Sequence, residues 1–295
     1  MALPRLHGSI PALVTPFRDG GVDAETYQRF IDWQIAQGSH ALVACGTTGE
    51  SPTVSHEENK RVIDLAVEAA AGRVPVLAGT GSNATHEALA LTRHAERAGA
   101  DAALIVTPYY NKPSQEGLYQ HFKAIHDAVE IPIVIYNIPG RCVVDMTVET
   151  LARLAALPRI IGVKDSSNDI KRPYLTRMAI GESFIQLSGE DPTVLPFLAM
   201  GGHGCISVTA NVAPGPLARM HAAWARGDVA EAQAINEMLM PLHAAMFAEP
   251  SPAPAKYGVS LLGFGAPEVR LPMTACGPAV QGQVREAMAA AGVLA

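Results

Sequence analysis

Positive charge is scarce in this chain. Its 22 lysines and arginines stand against 28 aspartates and glutamates, a formal charge of −6. A nucleic-acid ligand asks for a basic face that this balance does not supply. Long apolar runs are missing as well. No stretch approaches the ~18 unbroken apolar residues of a membrane span, so no membrane partner is expected. The start, "MALPRLHGSIPALVTPF", lacks a basic segment followed by an apolar core, so no export signal and a cytoplasmic location are expected. Cysteine is sparse: Cys45, Cys142, Cys205 and Cys276 lie far apart with no C-x-x-C pair, which reads as buried, reduced thiols. The ten histidines form no H-E-x-x-H, and no metal site is expected. A G-x-S-x-G elbow and a glycosidase-like acid pair are also absent. No linker, low-complexity tract or short-period repeat interrupts the chain.

What is present is alternation. Apolar strand-like runs fall at 8–15, 40–46, 74–81, 101–108, 131–139, 159–165, 184–189 and 204–210. Amphipathic helical stretches separate them, from Asp23 to about Gln37, Ser55 to about Ala71, Thr85 to Gly99, and then 114–129, 147–156, 168–180 and 191–200. Ser55 and Glu58 form a capping box at the second helix. Most strands are apolar on both faces, as in a parallel sheet covered by helices. Eight such units over about 210 residues predict an α/β fold of the (β/α)8 TIM-barrel type, with a doubly wound open sheet as the runner-up. Beyond residue 211 the pattern is helical only, at 214–226, 228–248, 253–262 and 278–293. The expected division is a catalytic barrel over 1–224 and a C-terminal helical region over 225–295.

The sixth strand, "RIIGVKD", ends on Lys164. An ammonium at the end of an apolar strand is costly unless paired. It is either a strand-end lysine paired with Asp165 or reaching solvent, or a free amine that attacks a ketone to form a Schiff base. Position decides more than composition, because a (β/α)8 barrel carries its site at the C-terminal strand ends. Those ends hold Thr15, Thr47-Thr48, Tyr109-Tyr110, Tyr136, Arg141, Gly189-Glu190, Ser207 and Thr209. Taken singly, each reads as packing, capping or surface. Together they supply hydroxyls that relay protons and a guanidinium fork for a carboxylate. Gly79, Gly81 and Ala84 also match G-x-G-x-x-A, with Asp101 downstream. They lie on the third strand–helix unit, and Asp101 begins a strand instead of ending one, so they read as a tight turn and not a dinucleotide site.

With these residues assembled, the chain resembles the 4-hydroxy-tetrahydrodipicolinate (dihydrodipicolinate) synthases, a family of class I pyruvate-dependent lyases. The resemblance is nearly end to end. It rests on "GTTGES" at 46–51, "VTPYYNKPSQEGL" at 106–118, "YNIPGR" at 136–141, "GVK" at 162–164, "SGED" at 188–191 and "GCISVTAN" at 204–211. It implies that Lys164 forms the Schiff base with pyruvate, that Tyr136 passes protons, and that Thr47 links it to Tyr110 of a neighbouring subunit. It further implies that Thr48 holds the pyruvate carboxylate, that Arg141 binds the carboxylate of L-aspartate 4-semialdehyde, and that Gly189 and Ile206 contribute backbone near the lysine. No added cofactor is implied. A homotetramer built as a dimer of dimers is implied, as is an L-lysine inhibitor site at Ser51, Pro52, His56, Asn59, Asn83, Glu87 and Tyr109. The chain departs from the family's frequent residues at Asn59 (histidine), Pro52 (alanine), "CVV" after Arg141 ("TG") and "KDSSND" at 164–169 ("KEATG"). Two rival readings remain. One is another pyruvate-dependent aldolase or dehydratase of the sialic acid, keto-sugar acid or hydroxyproline pathways. The other is a non-catalytic barrel that senses a keto acid or amino acid.

Overall fold

The computed structural model describes residues 4–294. Eight parallel strands form the barrel: β1 (Gly8–Pro11), β2 (Leu42–Ala44), β3 (Val76–Gly79), β4 (Ala102–Val106), β5 (Ile133–Asn137), β6 (Ile160–Asp165), β7 (Ile185–Ser188) and β8 (Gly204–Ser207). Each pairs with its sequence neighbour from β2 to β8, and β8 returns to β1. An Ala12–Val43 bridge and the Leu13 amide, which donates to the Val43 carbonyl at 3.0 Å, close β1 on β2. The open-sheet alternative is thereby excluded. Asn211 fixes the same seam: its Oδ1 accepts the Val14 amide at 2.9 Å and its Nδ2 donates to the Ala12 carbonyl at 2.7 Å.

The helices are α1 (Ala24–Ala36), α2 (His56–Ala70), α3 (Thr85–Ala98), α4 (Gln115–His126), α5 (Val148–Ala155), α6 (Arg172–Ile180), α7 (Val194–Ala199) and α8 (Pro214–Ala225). They are followed by α9 (Val229–Ala245), α10 (Ala253–Leu261) and α11 (Pro278–Ala290). The Ser55–Glu58 capping box is formed in both directions. Ile10, Val43, Leu77, Leu104, Val134, Tyr136, Leu187 and Ile206 fill the barrel interior. Intervening strand residues such as Ala103, Ile105, Ile133 and Ile135 pack outward against helices, as strand alternation requires. The four cysteines are buried and free, and burial pushes the Cys45 thiol up to about 12. No helix among the described residues is long and apolar enough to cross a membrane.

Two local expectations are corrected. The sixth helix starts at Arg172, not near 168. Asp165 Oδ1 accepts the Ser167 amide at 2.9 Å, Asn168 is left-handed at φ 59, and Pro173 stands at the helix start. These side-chain turns compete with helix before the proline permits it. The seventh helix shrinks to Val194–Ala199, because the Asp191 carboxylate turns to β8 and accepts the Val208 amide at 2.9 Å. The turn after β1 is a small antiparallel ribbon, Phe17–Arg18 against Gly21–Val22.

Candidate active site

Register brings the central pair together. Tyr136 on β5 lies opposite Lys164 on β6. Both side chains point into the barrel at its C-terminal end, and Lys164 Nζ stands 4.0 Å from the Tyr136 ring centroid. Both are buried, at 7% exposure each. They line a cavity of about 490 Å³ with Thr47, Thr48, Arg141 and Gly189. Leu104 and Val43 floor it. A smaller adjoining cavity of about 280 Å³ is lined by Thr47, Tyr136, Ser51 and Cys45, so Thr47 and Tyr136 face both spaces.

Each wall has a local cause. Thr47 and Thr48 sit in the loop between β2 and α2, in which Glu50 has φ 59. Glu50 is held in the interior by Lys256 of α10 at 2.6 Å, and its second oxygen accepts the Arg270 amide at 2.9 Å. Burial lowers the Lys256 ammonium from its ordinary value, against the pull of Glu50. Gly189 follows β7. A Cβ there would overlap Ser166 Oγ and stand 2.9 Å from Lys164 Cε. Only a glycine lets the backbone approach the lysine this closely. The glycines at 79 and 81 also have a packing reason: a Cβ on Gly79 would overlap the Cys45 carbonyl oxygen, as expected of a tight turn.

Of the residues expected to act together, Lys164, Tyr136, Thr47, Thr48, Arg141 and Gly189 share one cavity. Ile206 is fully buried in the interior stack on β8 and does not line the cavity. Tyr110 does not line it either. That residue is 88% exposed with φ 70. The residues assigned to an inhibitor site differ in exposure and in partners. Ser51 reaches the smaller cavity, Pro52 and His56 are exposed, and Tyr109 is half-buried. Glu87 accepts Ser82 Oγ at 2.6 Å, and the Asn83 carbonyl accepts Asn111 Nδ2 at 2.8 Å. Asn59 turns inward, donating to Cys45 Sγ at 3.0 Å and to the Gly79 carbonyl at 3.3 Å.

Ser166, Phe247 and Ser251 line the cavity without having been named from the sequence, and Glu190, named only as a strand-end residue, lines it too. Burial pushes the Glu190 carboxyl above its ordinary range, against a Ser166 hydrogen bond and the Lys164 charge. The strand-end rule locates Glu190 at the mouth, but residue type alone does not reveal that it faces the lysine. Phe247 and Ser251 come from the helical segment after the barrel, where no local signal marks a cavity wall.

The sequence pattern of the dihydrodipicolinate synthetase family matches residues 5–291. A 4-hydroxy-tetrahydrodipicolinate synthase of Rhodospirillum centenum is 63% identical over 287 residues, covering 97% of this chain and 99% of the relative. A chloride-inhibited dihydrodipicolinate synthase from Acinetobacter baumannii, complexed with pyruvate, superposes with a TM-score of 0.95. It is 43% identical and covers 98% of this chain and 99% of its own. A dihydrodipicolinate synthase from Cyanidioschyzon merolae with lysine bound superposes with a TM-score of 0.95 at 37% identity, with 98% and 99% covered.

Proposed function

The chain belongs to the dihydrodipicolinate synthetase family, and from that premise we propose that it condenses pyruvate with L-aspartate 4-semialdehyde, the reaction of a 4-hydroxy-tetrahydrodipicolinate synthase. The observation that carries this reading is the single cavity joining the Lys164 amine, the Tyr136 ring at 4.0 Å, the Thr47–Thr48 pair and the Arg141 guanidinium. The Lys164 amine adds to the pyruvate ketone, and the carbinolamine loses water to give the imine. Loss of a methyl proton yields the enamine, whose carbon attacks the aldehyde. The substrate's own amine then displaces Lys164, closing the ring and freeing the enzyme. Tyr136 stands where these protons must pass, with Thr47 beside it. Thr48 binds the pyruvate carboxylate, and Arg141 meets the carboxylate of the semialdehyde. Gly189 leaves room at the lysine.

The exposure of Tyr110 suits a side chain donated to a neighbouring subunit's relay. The exposed apolar residues of the α6 segment, Ile170, Tyr174, Leu175 and Met178, suit a second contact, as a dimer of dimers needs. L-Lysine, the bound molecule of the C. merolae relative, is the proposed inhibitor, near Ser51, Asn59, Asn83, Glu87 and Tyr109. The reading places the enzyme in the cytoplasm, in the supply of lysine and its diaminopimelate precursor. A coupled assay of pyruvate with the semialdehyde, run beside a panel of sugar acids and related keto acids, tests the activity. Turnover of the semialdehyde far above the panel is expected; preference for a sugar acid would overturn the reading.

A further inference from the structure

Behind the cavity wall, four polar side chains bind two segments of the site to each other. Asp165 follows Lys164 on β6, and strand alternation turns it away from the lysine's face. Its carboxylate pairs with Arg172 Nε at 3.2 Å and accepts Asn137 Nδ2 at 3.2 Å. Arg172 stands in the first turn of α6 and is nine-tenths buried. It also pairs with Asp145 at 2.9 Å and donates to the Met146 carbonyl. Asn137 completes the set, donating to Asp145 Oδ1 at 2.8 Å and accepting the Met146 amide at 3.0 Å. The 138–146 loop is thereby anchored at Asp145–Met146 by groups rooted on β5, β6 and α6. Arg141 lies in the middle of that loop, on a short helical turn, and is exposed. The loop's backbone therefore sets where its guanidinium stands.

We propose that Arg172 is a positioning residue for the second substrate. Through Asp145 and Met146 it fixes the 138–146 loop, and so holds the Arg141 guanidinium at a set distance from Lys164. The lysine itself acts on pyruvate without this help, because its strand is paired on both sides and Asp165 keeps Asn137 and Ser167 as partners. A planar five-donor fork suits the task of joining two carboxylates and a carbonyl. Losing it loosens the loop and displaces Arg141, which weakens the grip on the second substrate's carboxylate without touching the reacting lysine. The inference rests on the pyruvate–semialdehyde reading above.

The test is steady-state kinetics on Arg172→Met and on Asp145→Asn, the latter at a half-exposed carboxylate that touches only the loop end of the clamp. The KM for the semialdehyde should rise about tenfold in both, with kcat at saturation and the KM for pyruvate little changed. Borohydride trapping of pyruvate on Lys164 should proceed as in the parent enzyme. Adding either change to Arg141→Ala should raise that KM no further. A fall in kcat with an unchanged semialdehyde KM, additivity with Arg141→Ala, or no kinetic change in Asp145→Asn would overturn the proposal. A parent enzyme that ignores the semialdehyde would instead overturn the functional reading. The clamp is then scored by the same KM shift on whichever carboxylate-bearing aldehyde the parent does use.

Discussion

At Gly189 the space that a substrate needs is the space that a side chain would fill. A methyl group there would collide with Ser166 Oγ and press on Lys164 Cε at 2.9 Å. Gly189→Ala should therefore fold, since the residue ends a strand at the cavity rim, yet lose on the order of 10²-fold in kcat/KM by displacing the lysine. Activity within about twofold of the parent would show that the close approach is incidental. Lys164 and Tyr136 were legible in the sequence because a charged or phenolic residue at an apolar strand end is chemically out of place. Gly189 was legible only through its motif. That Glu190 and Ser166 line the lysine's cavity was not legible, because nothing in residue order tells which strand-end groups converge. That depends on register, here Tyr136 opposite Lys164 and Lys164 opposite Leu187.

At the scale of elements, the strand–helix alternation carried nearly the whole barrel, and its errors cluster where side chains cap turns. Asp165, Ser167 and Asp169 accept backbone amides with their side chains, and with Asn168 left-handed they delay α6. Those bonds are invisible to hydrophobic periodicity. A longer-range tie escaped entirely: α10 enters the barrel mouth through Lys256, whose ammonium is 2.6 Å from Glu50 and 3.9 Å from the Phe17 ring centre. The two residues are 206 positions apart, and no local pattern links them. Both charges are almost fully buried, so removing one leaves the other unpaired in a medium that solvates it poorly. Lys256→Met should destabilise the protein by about 3–5 kcal/mol, and Glu50→Gln added to it should recover part of that loss. Urea unfolding midpoints measure both. A loss under about 1 kcal/mol for Lys256→Met would mean that the pair is solvated or dispensable. Because Glu50 lies in the loop that bears Thr47 and Thr48, the same variant should also weaken pyruvate binding.

At the scale of the molecule, the barrel turns distance in sequence into proximity. Residues from 12 to 251 line one cavity because eight strand ends open on one mouth. The helical segment after residue 211 contributes Phe247 and Ser251 to that mouth, a role its sequence pattern did not announce. Tyr110 makes the opposite point. The sequence resemblance implied a relay role for it, while the single chain leaves it 88% exposed and off the cavity. None of this chemistry happens unless the lysine at the sixth strand end is the nucleophile. Incubation of the protein with pyruvate and borohydride, followed by peptide mass mapping, asks that question directly. The account predicts one reduced three-carbon adduct, on Lys164. An unmodified Lys164, or an adduct carried by Lys256 or any other lysine in its place, would contradict it.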